Sequence, residues 1–134
     1  MSARYLLDTN IVSDLIRNPQ GKIRDMIVDR EESTVAISVI VAAEIRFGCR
    51  KRDSAKLTRQ ANAIIEALTV LPWESPADEC YARIRNDLEV KGESIGPNDL
   101  LIAAHCLALG LTLVTANQRE FERVKGLKVE NWLE

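Results

Sequence analysis

The stretch that decides the fold is Tyr5-Leu6-Leu7-Asp8-Thr9-Asn10, in which a short apolar run stops abruptly at a carboxylate, a hydroxyl and an amide. A buried parallel strand is a continuous apolar run, and open α/β sheets bind ligands just beyond the carboxyl ends of such strands. Asp8 is therefore a candidate site residue. It is equally suited to cap a helix that begins near Asn10, because Asp is a favoured N-cap residue. The motif by itself supports both roles.

Helices and strands alternate through the rest of the chain. Short apolar or β-branched runs predict strands at 34–38, 69–71 and 111–115, and an edge strand at 127–132. This alternation is typical of a parallel sheet joined by right-handed crossovers. The expected fold class is α/β, a three-layer sandwich whose central parallel sheet of four to five strands is flanked by helices. At 134 residues the chain is expected to form a single domain, 1–134.

Two helices have clear start signals. Ser75-Pro76-Ala77-Asp78 predicts a helix whose serine is the cap, whose proline takes the first helical position and whose acid follows three residues after the cap. Gly96-Pro97-Asn98-Asp99 predicts another, and residues 100–109 are apolar except for His105, so this helix is expected to be central and buried. The helix dipole alone would favour Asp99 in the first turn, by about 0.3–1 kcal/mol.

Composition excludes several classes of protein. Lys+Arg 18 against Asp+Glu 20 gives a net charge of −2, so no global positive field attracts nucleic acid or a membrane surface. No apolar run approaches the ~20 residues of a membrane span, and the N-terminus lacks a signal-peptide core. Cys49, Cys80 and Cys106 lack zinc-site spacing and predict reduced core residues, and His105 is expected to be a packed, hydrogen-bonded histidine. A cytoplasmic protein without membrane association is expected.

Polar side chains that are far apart in sequence are expected to meet at one edge of the sheet. Asp8 follows the first strand, Asn117 and Glu120 follow the fourth, Asp99 opens the helix before the fourth strand, and Glu44 lies two turns into the helix after the second. Close carboxylates repel one another unless a cation intervenes, and oxygen ligands without His or Cys select Mg²⁺ or Mn²⁺ rather than zinc. Such an ion polarises a phosphodiester and activates water, so the set predicts a metal-dependent nuclease.

Glu44 is unusual because it lies within an apolar part of the helix predicted at 39–51. Glutamate is rarely buried without a partner or a metal. Since Ile40 and Phe47 lie near the same face, Glu44 is expected to face the protein and take part in the site. The alternative is that the helix turns Glu44 outward to solvent.

Hydroxyl and amide groups lie at several strand ends. Thr9, Ser38 and Thr115, together with Asn10, are expected to hydrogen-bond the carboxylates or the attacking water.

The concentrated positive charge of the chain lies just after Glu44 and comprises Arg46, Arg50, Lys51, Arg52, Lys56 and Arg59. The first four of these residues are candidate contacts to an RNA phosphate backbone. The alternative is that the run forms the solvated face of two helices, which is the commoner meaning of such a pattern.

Four segments carry a resemblance to a known family. They are Leu6-Leu7-Asp8-Thr9-Asn10, Ser38 with Glu44 six residues on, Gly96-Pro97-Asn98-Asp99-Leu100-Leu101-Ile102-Ala103-Ala104, and Thr115-Ala116-Asn117-Gln118-Arg119-Glu120-Phe121. In order and spacing they resemble the PIN-domain nucleases, and more narrowly the VapC toxins of bacterial toxin–antitoxin pairs. No single segment is specific, but the four together span nearly the whole chain.

The resemblance implies an endoribonuclease that depends on Mg²⁺, with Mn²⁺ as a substitute, and that acts on tRNA or another structured RNA. Asp8, Glu44 and Asp99 would be the metal-binding acids. The resemblance also implies a homodimer, a VapB-type antitoxin whose C-terminal segment covers the acidic cleft, and operator DNA bound only through that antitoxin. Many PIN domains have a fourth acid just after the last core strand, where this chain has Asn117, with Glu120 three residues later. Whether the site holds one ion or two is therefore open.

A receiver-type signalling domain is the main alternative of a different class. It would need an acidic pair near the first strand and a phosphoacceptor Asp at the end of a middle strand, and Thr69-Val70-Leu71-Pro72-Trp73 provides none. A phosphatase of the DxD type would need an acid in place of Asn10. A non-catalytic binding module is a further alternative, against which the presence of Asp8, Glu44 and Asp99 argues.

Overall fold

The centre of the molecule is a parallel β-sheet. The structure, a computed structural model, describes residues 2–134. Its strands are β1 Tyr5–Leu7, β2 Val35–Ser38, β3 Thr69–Leu71, β4 Thr112–Val114 and β5 Lys128–Glu130. All neighbouring strands pair in parallel, in the order β3-β2-β1-β4-β5. The predicted parallel sheet is confirmed.

Helices cover both faces of this sheet. They are α1 Thr9–Arg17, α2 Lys22–Arg30, α3 Val39–Arg52, α4 Ala55–Ala67, α5 Ala77–Lys91, α6 Pro97–Leu109 and α7 Gln118–Phe121. Strands β1 to β3 are added in one direction and β4 and β5 in the other, so right-handed crossovers put α1 to α4 on one face and α5 to α7 on the other. In agreement, α1 contacts α2, α3 and α4, and α5 packs along α6. The three-layer sandwich is confirmed.

The order in which strands are added to the sheet reverses at β1. Strands β2 and β3 lie on one side of β1, and β4 and β5 lie on the other. Leu7 pairs with Ile37 on one side and with Val114 on the other, so the three central strands end level with one another. In open α/β sheets this reversal leaves a crevice beyond the carboxyl ends of the two strands, and ligands bind there. The polar residues that follow β1 and β4 therefore share one crevice.

Burial explains the apolar runs of the sequence. Leu6 and Leu7 are 0% exposed, and the whole of β2 is buried, as expected for strands covered on both faces. The predicted edge strand at 127–132 is confirmed as β5, and it brings Trp132 onto the fold. Trp132 packs edge-on against Tyr5, with ring centroids 5.2 Å apart. The three cysteines are free, and no helix within residues 2–134 is long and apolar enough to cross a bilayer.

The two predicted helix starts have different outcomes. Helix α6 begins as predicted, with Gly96 as the N-cap and a proline in the first turn. The prediction for α5 was wrong by one residue: Pro76 is the N-cap, and Ser75 caps nothing. The Ser75 hydroxyl instead donates a hydrogen bond to Asp78 Oδ1, at 2.5 Å. The Ser75–Pro76 peptide bond is cis.

Candidate active site

Asp8 directly follows β1 and lies at the crevice beyond the ends of β1 and β4, and it is only 4% exposed. Its Oδ1 accepts a hydrogen bond from the Ile11 N–H at 3.0 Å, and its Oδ2 accepts one from the Thr115 hydroxyl. Its own N–H donates to the Val114 carbonyl oxygen of β4 at 3.0 Å. Asp8 is therefore the N-cap of α1, as one of the two interpretations predicted, and it also lies in the crevice.

Glu44 joins α3 to two other segments of the chain. Its Oε1 accepts a hydrogen bond from the Thr9 hydroxyl at 2.5 Å, and its Oε2 accepts one from Asn98 Nδ2 at 3.2 Å. Glu44 therefore reaches the crevice, as expected. Phe47, which was expected to lie near the same protected face, is 67% exposed, so that expectation was wrong.

Asp99 and Glu120 form the opposite side of the same crevice. The Gly96 N–H donates to Glu120 Oε1 at 3.2 Å, and the Asn117 side-chain amide donates to Glu120 Oε2. A Cβ atom at Gly96 would lie 3.4 Å from Asp99 Oδ2 and 4.0 Å from Glu120 Oε1, so the two carboxylates approach the same point. The segment after β4 thus places the Glu120 carboxylate beside Asp99, and the Asn117 side chain holds it there.

The carboxylates act on one another electrostatically. Burial raises the pKa of Asp8 above its ordinary value, although hydrogen bonds from Thr115 and from backbone N–H groups at the start of α1 offset part of this. The pKa of Asp99 is raised to about 7, first by burial, then by its hydrogen bond with Glu120, and then by the charges of Glu120, Asp8 and Glu44. Four acids from distant parts of the chain therefore lie close enough to repel one another.

The chemistry of this donor set fits a hard divalent cation. Carboxylate oxygens, without His or Cys, are the ligands that Mg²⁺ and Mn²⁺ prefer, and a cation would remove the mutual repulsion. Within residues 2–134, however, no three His, Cys, Asp or Glu side chains form a ready-made metal site. Asp8, Glu44 and Glu120 direct their oxygens at donors of the protein itself. A bound ion would have to replace some of these donors.

The predicted supporting residues divide into two groups. Thr9 and Thr115 donate to Glu44 and Asp8, as expected. Ser38 does not reach the carboxylates.

The Ser38 hydroxyl is fully buried beside His105 instead. It accepts a hydrogen bond from the Ile40 N–H at 3.1 Å and lies 2.8 Å from His105 Nδ1. The expected hydrogen bonding of His105 is met at that nitrogen, whereas its Nε2 has no partner in the described chain. Burial lowers the pKa of His105. Asn10 is exposed, and only its backbone N–H acts on Asp8.

Two contributors to the site were missed by the sequence analysis. Asn98 holds Glu44 through its side chain, and Gly96 holds Glu120 through its backbone N–H. Both precede Asp99 at the start of α6, Gly96 as the N-cap and Asn98 in the first turn. Their position beside a candidate acid was the available signal, but the partners of these groups come from α3 and α7 and depend on the tertiary fold.

The basic run divides between two surfaces of α3. Arg46, Arg50 and Arg59 line an open cavity between α3 and α4. Arg52 lines a neighbouring groove of about 180 Å³ that also includes Thr9 and Glu44. Lys51 lines neither surface. The four candidate RNA contacts are therefore not equivalent.

Fold and site together define a class of protein. The molecule is a parallel α/β sandwich whose acids gather in the crevice between β1 and β4. In agreement, the family model for the PIN domain matches residues 5–127. The chain belongs to the PIN-domain family.

Individual relatives narrow this family to its VapC group. Ribonuclease VapC2 from Rickettsia felis is 36% identical over 130 residues, which are 96% of this chain and 97% of the relative. The tRNA(fMet)-specific endonuclease VapC from Shigella flexneri is 33% identical over 133 residues, 96% of this chain and 98% of that protein. The crystal structure of VapBC2 from Rickettsia felis bound to a DNA fragment from their promoter matches with a TM-score of 0.89 at 34% identity, covering 98% of this chain and 99% of that one.

Proposed function

We propose that this protein is a Mg²⁺-dependent endoribonuclease toxin that hydrolyses phosphodiester bonds of RNA, with tRNA as the expected substrate, and that a VapB-type antitoxin inhibits it. The observation that carries the proposal is the gathering of Asp8, Glu44, Asp99 and Glu120 in one crevice of a PIN fold. Similarity to a tRNA(fMet)-specific endonuclease supports the class of RNA.

The side chains of the crevice have separate tasks in this proposal. Asp8, Glu44 and Asp99 would hold the ion, with Mn²⁺ as a possible substitute for Mg²⁺. When bound, the ion supplies a Lewis acid for the phosphoryl group and lowers the pKa of a water nucleophile. Thr9 and Thr115 fix the orientation of Glu44 and Asp8, which reduces the reorganisation needed during the reaction.

Glu120 takes the fourth acidic position in this proposal. Asn117, which stands where many PIN domains have an acid, is neutral and therefore a weaker ligand. Its amide and the Gly96 N–H hold Glu120 beside Asp99. Asn117 thus acts by positioning Glu120.

The expected partners follow from the solved relatives. VapBC complexes are among them, and one is bound to promoter DNA. An antitoxin segment would cover the acidic crevice, and the groove beside Thr9 and Glu44, which Arg17 and Arg52 also line, is continuous with it. Operator DNA would be bound only through the antitoxin. The toxin itself would act in the cytoplasm as a homodimer.

The receiver-type alternative is wrong on topology. Receiver domains have the strand order 2-1-3-4-5, with the first and third strands adjacent. Here β1 lies between β2 and β4, and β3 is an edge strand. Strands β2 and β3 also end in Ser38 and Leu71, so neither offers a phosphoacceptor Asp.

The test is RNA cleavage by the purified protein with Mg²⁺ or with excess EDTA. Asp99→Asn is expected to lower cleavage by more than ~100-fold, since loss of a metal-binding acid exceeds the usual cost of losing an outer partner. Asp25→Asn is the matched control, because Asp25 is an exposed acid outside the crevice. Undiminished cleavage in EDTA would exclude metal dependence. Sequencing the 5′ ends of the fragments identifies the RNA and the cleaved bond.

A further inference from the structure

An open, basic cavity of about 620 Å³ lies between α3 and α4. Its charged lining consists of Arg46, Arg50 and Arg59, against a single acid, Asp53. Lys51 of the same run does not line it. The fold therefore gathers three of the six basic residues in this part of the sequence and leaves the others elsewhere.

The guanidinium groups of this cavity are available for a ligand. Within residues 2–134, none of the three arginines has a carboxylate oxygen within 4.0 Å, whereas four other arginines do, namely Arg17, Arg24, Arg30 and Arg85. Arg46 Nη1 donates to Asn62 Oδ1 at 2.8 Å, which links α3 to α4 and fixes the direction of the guanidinium group. An oriented, unpaired guanidinium is suited to bidentate binding of a phosphate.

The N-terminus of α4 adds to the positive potential of the cavity. Ser54 caps this helix through the Leu57 N–H at 3.2 Å, and Ser54 and Thr58 line the cavity near the helix N-terminus. The helix dipole places partial positive charge there. Arginines and dipole thus act in the same direction.

We propose that this cavity binds backbone phosphates of the RNA substrate away from the bond that is cleaved. The inference rests on the proposed ribonuclease function. Glu44 and Arg50 belong to the same helix and are separated by six residues, which is about 9 Å along the axis. Glu44 lines the neighbouring groove and Arg50 lines this cavity, and Cys49 borders both, so an RNA strand that crosses this helix reaches both. In a molecule with a net charge of −2, the cavity supplies the local attraction that a polyanion needs.

The test is RNA binding in EDTA, measured by fluorescence anisotropy with labelled tRNA at several salt concentrations. Arg50→Ala and Arg59→Ala are each expected to weaken binding and to reduce the slope of log K against log [salt] by about 1, as for one lost phosphate contact. Lys51→Ala removes the same charge from the same helix outside the cavity, and it is expected to leave the slope near that of the wild type. Circular dichroism checks that each variant is folded.

The outcomes separate this inference from the proposed function. Equal losses for Lys51→Ala and Arg50→Ala would show a diffuse charge effect and overturn the subsite. So would arginine variants that bind RNA normally but lose the antitoxin, because the cavity would then serve a protein partner. If the wild-type protein cleaves RNA and both arginine variants bind RNA normally, the subsite is overturned and the proposed function stands. A wild-type protein that neither binds nor cleaves RNA overturns both.

Discussion

At the scale of single residues, Asp8 combines two roles that substitutions can separate. Asn is as good an N-cap as Asp, so Asp8→Asn should retain the hydrogen bond to the Ile11 N–H. Its amide NH2 can donate to the Thr115 hydroxyl after that hydroxyl rotates, so stability should stay near that of the wild type. Asp8→Ala removes the cap and should lower the free energy of unfolding by about 0.5–2 kcal/mol. Both variants should lose RNA cleavage, because both lose the carboxylate. Urea denaturation and a cleavage assay measure the two effects, and equal destabilisation by both substitutions would contradict the capping role.

Residue-level roles were only partly predictable from the sequence. Ser38 and Thr115 both stand at strand ends and looked alike, yet the Thr115 hydroxyl meets Asp8 while the Ser38 hydroxyl meets His105. The difference arises because the segment after β4 passes beside β1, whereas the end of β2 faces α6. That arrangement depends on strand order and helix placement, which no local pattern contains.

At the scale of helices and strands, two glycines predict opposite effects of the same substitution. Gly110 ends α6 with φ 68°, and no atom lies within 4 Å of a Cβ placed there, so Gly110→Ala should cost about 1–2 kcal/mol from backbone strain alone. Gly48 lies inside α3, where a Cβ also meets nothing within 4 Å, so Gly48→Ala should stabilise the protein by about 0.5–1 kcal/mol. Thermal or urea unfolding of both variants checks the signs. A stabilising Gly110→Ala would refute the argument from φ.

The elements themselves were largely readable from apolar periodicity and helix-end residues. Alternation of strands and helices predicted the parallel sandwich, and Gly96 marked the start of α6. The start of α5 was misplaced because Ser75 has two possible uses for its hydroxyl, and in the fold it donates to Asp78 rather than accepting from the backbone. The strand order was not predicted either, since it is set by how the crossovers pack.

At the scale of the whole molecule, folding brings together acids that repel one another. Asp8, Glu44, Asp99 and Glu120 come from four separate segments, and their mutual repulsion opposes the folded state. Their gathering could be expected from the sequence only because parallel strands end at one edge of the sheet. The hydrogen-bond partners of these acids could not be predicted from the sequence, since they come from neighbouring helices and loops. A bound cation would convert this repulsion into attraction and so couple metal binding to stability.

Mg²⁺ should therefore stabilise the folded protein, and substitution of Asp99 should remove most of this stabilisation. In EDTA above pH 7, where Asp99 is ionised, Asp99→Asn should unfold at a temperature equal to or above that of the wild type, because it removes one of the repelling charges. With Mg²⁺ at a hundredfold excess over its Kd, the wild type should gain about 2.7 kcal/mol, and the variant should gain much less. Asp25→Asn, which alters an exposed acid outside the crevice, should gain as much as the wild type. Differential scanning calorimetry without RNA measures these shifts independently of catalysis. Equal gains in the wild type and in Asp99→Asn would show that the ion binds elsewhere.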